Sequence, residues 1–116
     1  MAPLTTGHLL LALQQVCSNL SQVDRVEVQA IDSDTLSVRV YLILTAAFIH
    51  VFCNITTDKT AFALVEGDQR VFGVDNAKMG WHVHPFDNPA QHVACAPVQF
   101  DEFMSQVEAH YRKFET

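Results

Sequence analysis

Between residues 23 and 74 the hydrophobic pattern repeats every second residue, and this alternation constrains the fold more than any other feature of the chain. Val26, Val28 and Ala30 alternate with polar or charged neighbours. Leu36, Val38, Val40, Leu42 and Leu44 alternate with Ser37, Arg39, Tyr41 and Ile43, as a long half-buried strand does. A break at Thr45-Ala46 leads to Phe48–Ile55, rich in β-branched and aromatic residues, and two further strands follow at Thr60–Val65 and Gln69–Val74. Asp32-Ser33-Asp34, Thr57-Asp58-Lys59 and Glu66-Gly67-Asp68 supply turn chemistry between the runs. Connections this short join neighbouring antiparallel strands, so the runs predict a five-strand meander, with Trp81–Pro85 as a further short strand.

The period changes to helical at both ends. Leu9, Leu13, Val16 and Leu20 form one stripe behind a cap at Thr5 or Thr6, predicting a helix over 6–18. Phe100, Phe103, Met104, Val107, Tyr111 and Phe114 predict a second over 99–114, with Asp101 and Glu102 at its start and Arg112 and Lys113 at its end, each sign complementing the helix dipole. Residues 86–98 carry no period and read as irregular. The expected fold class is α+β: an antiparallel, curved sheet of five or six strands, flanked by an N-terminal and a C-terminal helix on one face.

A chain of 116 residues is the size of one domain, here expected to span 1–116. Disorder is excluded, because 49% of the residues are hydrophobic and only 17% charged. The net charge of −6 excludes a uniformly basic nucleic-acid binder but not a local patch. Cys17, Cys53 and Cys95 are odd in number and widely spaced, which fits reduced thiols and a cytoplasmic location. The apolar run Leu9–Leu13 has no basic residue ahead of it and no cleavage site behind it, so it does not read as a secretory signal. The stretch Tyr41–Phe52 is interrupted by His50 and falls short of the roughly 20 residues of a membrane helix.

Chemistry concentrates in residues 75–92. If Trp81–Pro85 is extended, His82 and His84 share one face about 7 Å apart, while Trp81 and Val83 turn to the core. Three uses are open to such a pair. It can work as an acid–base couple near neutrality. It can ligate a transition metal such as Zn or Ni, with His92 or Asp87 as a third ligand. Or it can hydrogen-bond neighbouring carbonyls and do nothing else. Asp75 or Asn76 stands one loop before the pair and can orient an imidazole through its other nitrogen, or simply make a turn. Arg39 and Tyr41 share a strand face and, with Arg70, are candidates for binding an anionic substrate. His50 reads as a half-buried, satisfied histidine; His8 and His110 read as solvent-facing helix residues.

The segment Val74-Asp75-Asn76-Ala77 followed by Gly80-Trp81-His82-Val83-His84-Pro85-Phe86 resembles the signature of the TumE family of small toxins from prokaryotic toxin–antitoxin pairs. Asp75, Asn76, His82 and His84 match that motif; Arg39, Tyr41 and His92 lie outside it. The resemblance implies a metal-independent ribonuclease with an RNA substrate and a cognate antitoxin protein. The residues themselves leave open a non-enzymatic module that binds a protein or a metal through the same histidine face. A sheet edge that serves as a homodimer contact is also open.

Overall fold

A computed structural model describes residues 4–43 and 45–112. Its elements are α1 (Thr6–Ser18), β1 (Val23–Ile31), β2 (Thr35–Leu42), β3 (Phe48–Asn54), β4 (Lys59–Glu66), β5 (Gln69–Asp75), β6 (His82–His84), β7 (Val93–Ala94) and α2 (Phe100–Arg112). All strands pair antiparallel with their neighbours in chain order, so the meander holds from the first to the last. The sheet has seven strands rather than five or six. The added strand comes from the segment expected to be irregular: Val93 pairs with Val83, and the Cys95 N–H donates to the Trp81 carbonyl. Two residues are too few to show a period, which is why the pattern hid it. Leu44 and residues 113 and 114, included in the expected strand and helix, lie outside the described residues.

Local chemistry explains the elements. Thr5 caps α1 by accepting the His8 N–H at 3.1 Å, and the Thr6 hydroxyl donates to the Asp32 carbonyl, tying α1 to the β1–β2 turn. Asp32 Oδ1 accepts the N–H groups of Asp34 and Thr35, and these bonds hold its carboxyl below the usual range. The β4–β5 hairpin turns through Gly67 and Asp68 at φ 53° and 66°, the positive pair that a two-residue turn requires.

Both helices lie on one face of the sheet. There Leu13 and Cys17 of α1 and Phe103, Met104 and Val107 of α2 join Leu36, Val38, Val40, Ile49, Val51, Leu64 and Val74 in one buried cluster. Phe103 is fully buried against the rings of Phe62 and Phe72, with centroids 5.4 and 5.2 Å away. Among the described residues the opposite face carries no helix. Register aligns Arg39, His50, Ala63, Gly73 and His84 across it in one row, and Ser37, Phe52, Ala61, Asp75 and His82 in the next. The alternation of period two therefore collects the chain's polar chemistry on one surface. No helix among the described residues is long and apolar enough to cross a membrane.

Candidate functional site

Asp75 ends β5, and His82, directly opposite, begins β6. The connection between them passes through Lys78 and Gly80, both at positive φ, and turns the Gly80 carbonyl back toward the first histidine. The His82 Nδ1–H donates to that carbonyl at 2.8 Å, and the His84 Nδ1–H donates to the Pro89 carbonyl at 3.2 Å. The far nitrogens converge on a single carboxylate. His82 Nε2 lies 3.2 Å from Asp75 Oδ1 and His84 Nε2 lies 3.0 Å from Oδ2. Asp75 Oδ1 also accepts the Ala77 N–H, which fixes the carboxylate in this pose.

The parity expected for this segment is observed: Trp81 and Val83 pack against the apolar core while His82 and His84 take the other face. Their exposure differs from expectation. Each histidine is only 3% exposed, because residues 85–92 fold back over the two rings. His92, exposed on that segment, completes the cluster. Its ring stacks on His82 with centroids 5.0 Å apart and meets His84 edge-on at 4.6 Å. One ligand nitrogen from each of His82, His84 and His92 lies within 4.8 Å of the others; exposed Asp87 stands outside this group, as does Asp75, which touches two of the three rings. Partial desolvation, followed by the charges of His84, His82 and Arg70, holds His92 below its ordinary value, with Asp75 opposing.

Arg70 borders the cluster. Its guanidinium donates to the Pro89 carbonyl at 3.3 Å, and its stem lies over Gly73. A Cβ on Gly73 would sit 3.1 Å from Arg70 Cδ, 3.3 Å from the Phe62 carbonyl and 3.6 Å from the His84 ring. Gly73→Val should therefore displace Arg70 and press on His84, with a stability loss of about 1–3 kcal/mol measurable by denaturant unfolding.

The other sequence candidates divide. Asn76 is not brought to the cluster: its side chain accepts the Thr60 N–H and donates to the Asp58 carbonyl, stitching the β3–β4 turn to the end of β5. Arg39 and Tyr41 lie on the same face as the cluster but four strands away, in an aromatic and guanidinium group. Arg25 sits 4.0 Å over the Tyr41 ring, Arg39 sits 4.6 Å over Phe48, and the two rings are 5.6 Å apart. His50 Nε2 hydrogen-bonds Ser37 Oγ at 2.9 Å; burial first, and Arg39 second, push it below its ordinary value, so it is neutral at pH 7. His110 is not fully solvent-facing: it is half-buried and stacks on Phe86 at 3.7 Å. The thiols are poor nucleophiles, since burial pushes Cys17 up to about 11 and raises Cys53 and Cys95 as well.

The strand spacing that set His82 and His84 side by side was readable in the sequence. The roles of Gly73 and of the Gly80 and Pro89 carbonyls were not, although a glycine inside a strand already marks a close approach. No family model, no curated protein and no solved structure matches the chain, so its site rests on its own geometry.

Proposed function

We propose that this chain is a small ribonuclease that holds single-stranded RNA across the open face of the sheet and cleaves it at the cluster of Asp75, His82, His84 and His92. One observation carries the reading: the imidazole–carboxylate cluster opens through His92 and Arg70 onto a face that holds Arg25, Arg39 and Arg70, three of the chain's four arginines. Asp32, Asp34, Asp58, Asp68, Asp101 and Glu102 sit in turns or on α2, away from that face, whereas Glu27 lies on it opposite Arg39 and, with Asp24, pairs with Arg25, so Arg39 and Arg70 are the cations on which the reading relies. Tyr41 and Phe48 offer ring surfaces for bases, and stacking tolerates any base sequence. At about 4.8 Å per strand, β2 stands about 19 Å from β6, so a strand of RNA can lie on the aromatic group and reach the cluster.

Transesterification by a ribose 2′-hydroxyl needs an imidazole to take the hydroxyl proton, a second to protonate the departing 5′-oxygen, and a cation for the charge that builds on the phosphoryl oxygens. His92 is the accessible ring; His84, which adjoins it, serves as the second once its Nδ1–H leaves the Pro89 carbonyl for the substrate, with Asp75 behind its Nε2 and Arg70 as the cation at the rim. The resemblance to the TumE signature at Asp75, His82 and His84 agrees with this assignment, and with an antitoxin as the partner.

The test is cleavage of a fluorescent RNA beside a DNA of the same sequence. The RNA should be cut and the DNA left whole. His92→Ala should lower the rate by at least 100-fold, and the double variant Arg39→Ala/Tyr41→Phe should raise KM with little change in kcat. RNA left uncut by the wild-type chain, or cut equally by His92→Ala, contradicts the reading.

A further inference from the structure

The hydrogen-bond pattern around the two buried histidines poses a problem that the protein atoms alone do not solve. A carbonyl oxygen can only accept, so the Gly80 and Pro89 carbonyls require the proton of each ring on Nδ1. A neutral imidazole has one N–H. Both Nε2 atoms are then bare lone pairs, and both are aimed at the Asp75 carboxylate, which also only accepts. The opposite tautomer merely moves the clash to the carbonyls. At 3.0 and 3.2 Å these are four acceptor atoms in contact, two on rings that are almost wholly buried and two on a carboxylate that is half-buried.

Positive charge at that point resolves the conflict. A second proton on each ring would put two imidazolium groups, with centroids 4.9 Å apart, beside a single carboxylate and next to the Arg70 guanidinium, a net cationic group under a covering segment. A single dication neutralises the carboxylate and accepts both lone pairs at once.

We infer that Asp75, His82, His84 and His92 form a binding site for one divalent transition-metal ion of the zinc or nickel class. The donor set decides the class: three imidazoles and one carboxylate suit these metals, whereas magnesium and calcium take oxygen ligands. The geometry agrees. Zinc bonds of about 2.0–2.1 Å in a tetrahedron put ligand atoms about 3.4 Å apart, close to the two Nε2–carboxylate separations. The three imidazole nitrogens lie within 4.8 Å of one another, so His92, exposed on its loop, closes the site by turning its side chain inward. The outer contacts match as well. Both buried rings donate Nδ1–H to backbone carbonyls and Asp75 accepts from Ala77, the arrangement that fixes Nε2 as the ligand atom and locks a ligating carboxylate. The inference goes beyond the ribonuclease reading and does not need it; a bound ion would occupy the nitrogens that proton transfer requires, so cleavage by imidazoles belongs to the metal-free chain.

Zinc, nickel and magnesium chlorides titrated into the chelator-stripped chain, followed by calorimetry and by metal analysis after dialysis, test it. Wild type should retain one zinc or one nickel per chain and no magnesium. Asp75→Asn and His92→Ala should each weaken zinc binding at least tenfold, while His8→Ala, on α1, should bind as wild type does. His92 is exposed, so its removal tests the site without a folding cost; the metal-free melting curves of wild type and His92→Ala should coincide. Failure of the folded wild-type chain to retain zinc or nickel overturns the inference. So does wild-type affinity in both the Asp75→Asn and His92→Ala chains. RNA cleavage by the stripped chain tests the ribonuclease reading and metal retention tests this one, so either proposal can fail alone.

Discussion

Asp75→Ala should abolish RNA cleavage and zinc retention together, while the metal-free chain loses little stability. In the metal-free chain the carboxylate accepts the Ala77 N–H but no ring proton, because both Nε2 atoms that face it are lone pairs, so its removal leaves one backbone group without that acceptor. Leaving one half-buried N–H unsatisfied costs about 1–2 kcal/mol, and relief of the two lone-pair contacts offsets part of it, so the metal-free loss in urea unfolding should stay below about 2 kcal/mol. Asp75→Asn should be at least as stable as wild type without metal, because an amide can donate to one bare Nε2 atom, yet it should not retain zinc affinity. A metal-free loss above about 3 kcal/mol would mean that both rings donate an Nε2–H to the carboxylate and that no acceptor conflict exists.

Phe103→Ala carries the largest expected effect away from the site. Phe103 is fully buried where α2 meets the sheet, and its ring contacts both Phe62 and Phe72. Removing it opens a cavity between α2 and the strands β4 and β5, at a cost of about 3–5 kcal/mol. For a chain of this length the Tm should fall by about 10–20 °C, measurable by circular dichroism. The two substitutions separate along clear lines. Phe103→Ala lies on the helical face, so the fraction that remains folded should still retain one metal ion per chain. Asp75→Ala should lose the ion even where the chain is fully folded. A Tm within a few degrees of wild type for Phe103→Ala would show that α2 is not part of the core.

The strands and helices were legible because burial enforces period. Leu36, Val38 and Val40 have to lie on the face that the helices cover, so Arg39 and Tyr41 take the other, and the short turns permit only a meander. The same parity put His82 and His84 on one face and opposite Asp75. The burial of the histidines was hidden, because it depends on residues 85–92 folding back, and nothing periodic announces that path. Pro89 shapes the covering segment through its carbonyl, an atom every residue owns, so no side-chain pattern could have marked it. Asn76 shows the converse. It stands beside Asp75 in the sequence, yet strand alternation sends its side chain to the Asp58 and Thr60 backbone. Position in a motif supplied the candidates; the pleat chose between neighbours. The seventh strand was missed for lack of length, since a pair of residues cannot reveal a repeat.

Nitrogen-15 NMR of the histidine side chains is the most direct test, because it reads which ring nitrogen holds the proton. If the account is right, His82 and His84 each carry a proton on Nδ1 in both the metal-free and zinc-loaded chain, and zinc shifts the Nε2 resonance of both rings together with one nitrogen of His92. Rings that hold the neutral proton on Nε2 and leave Nδ1 bare, unmoved by zinc, would contradict it.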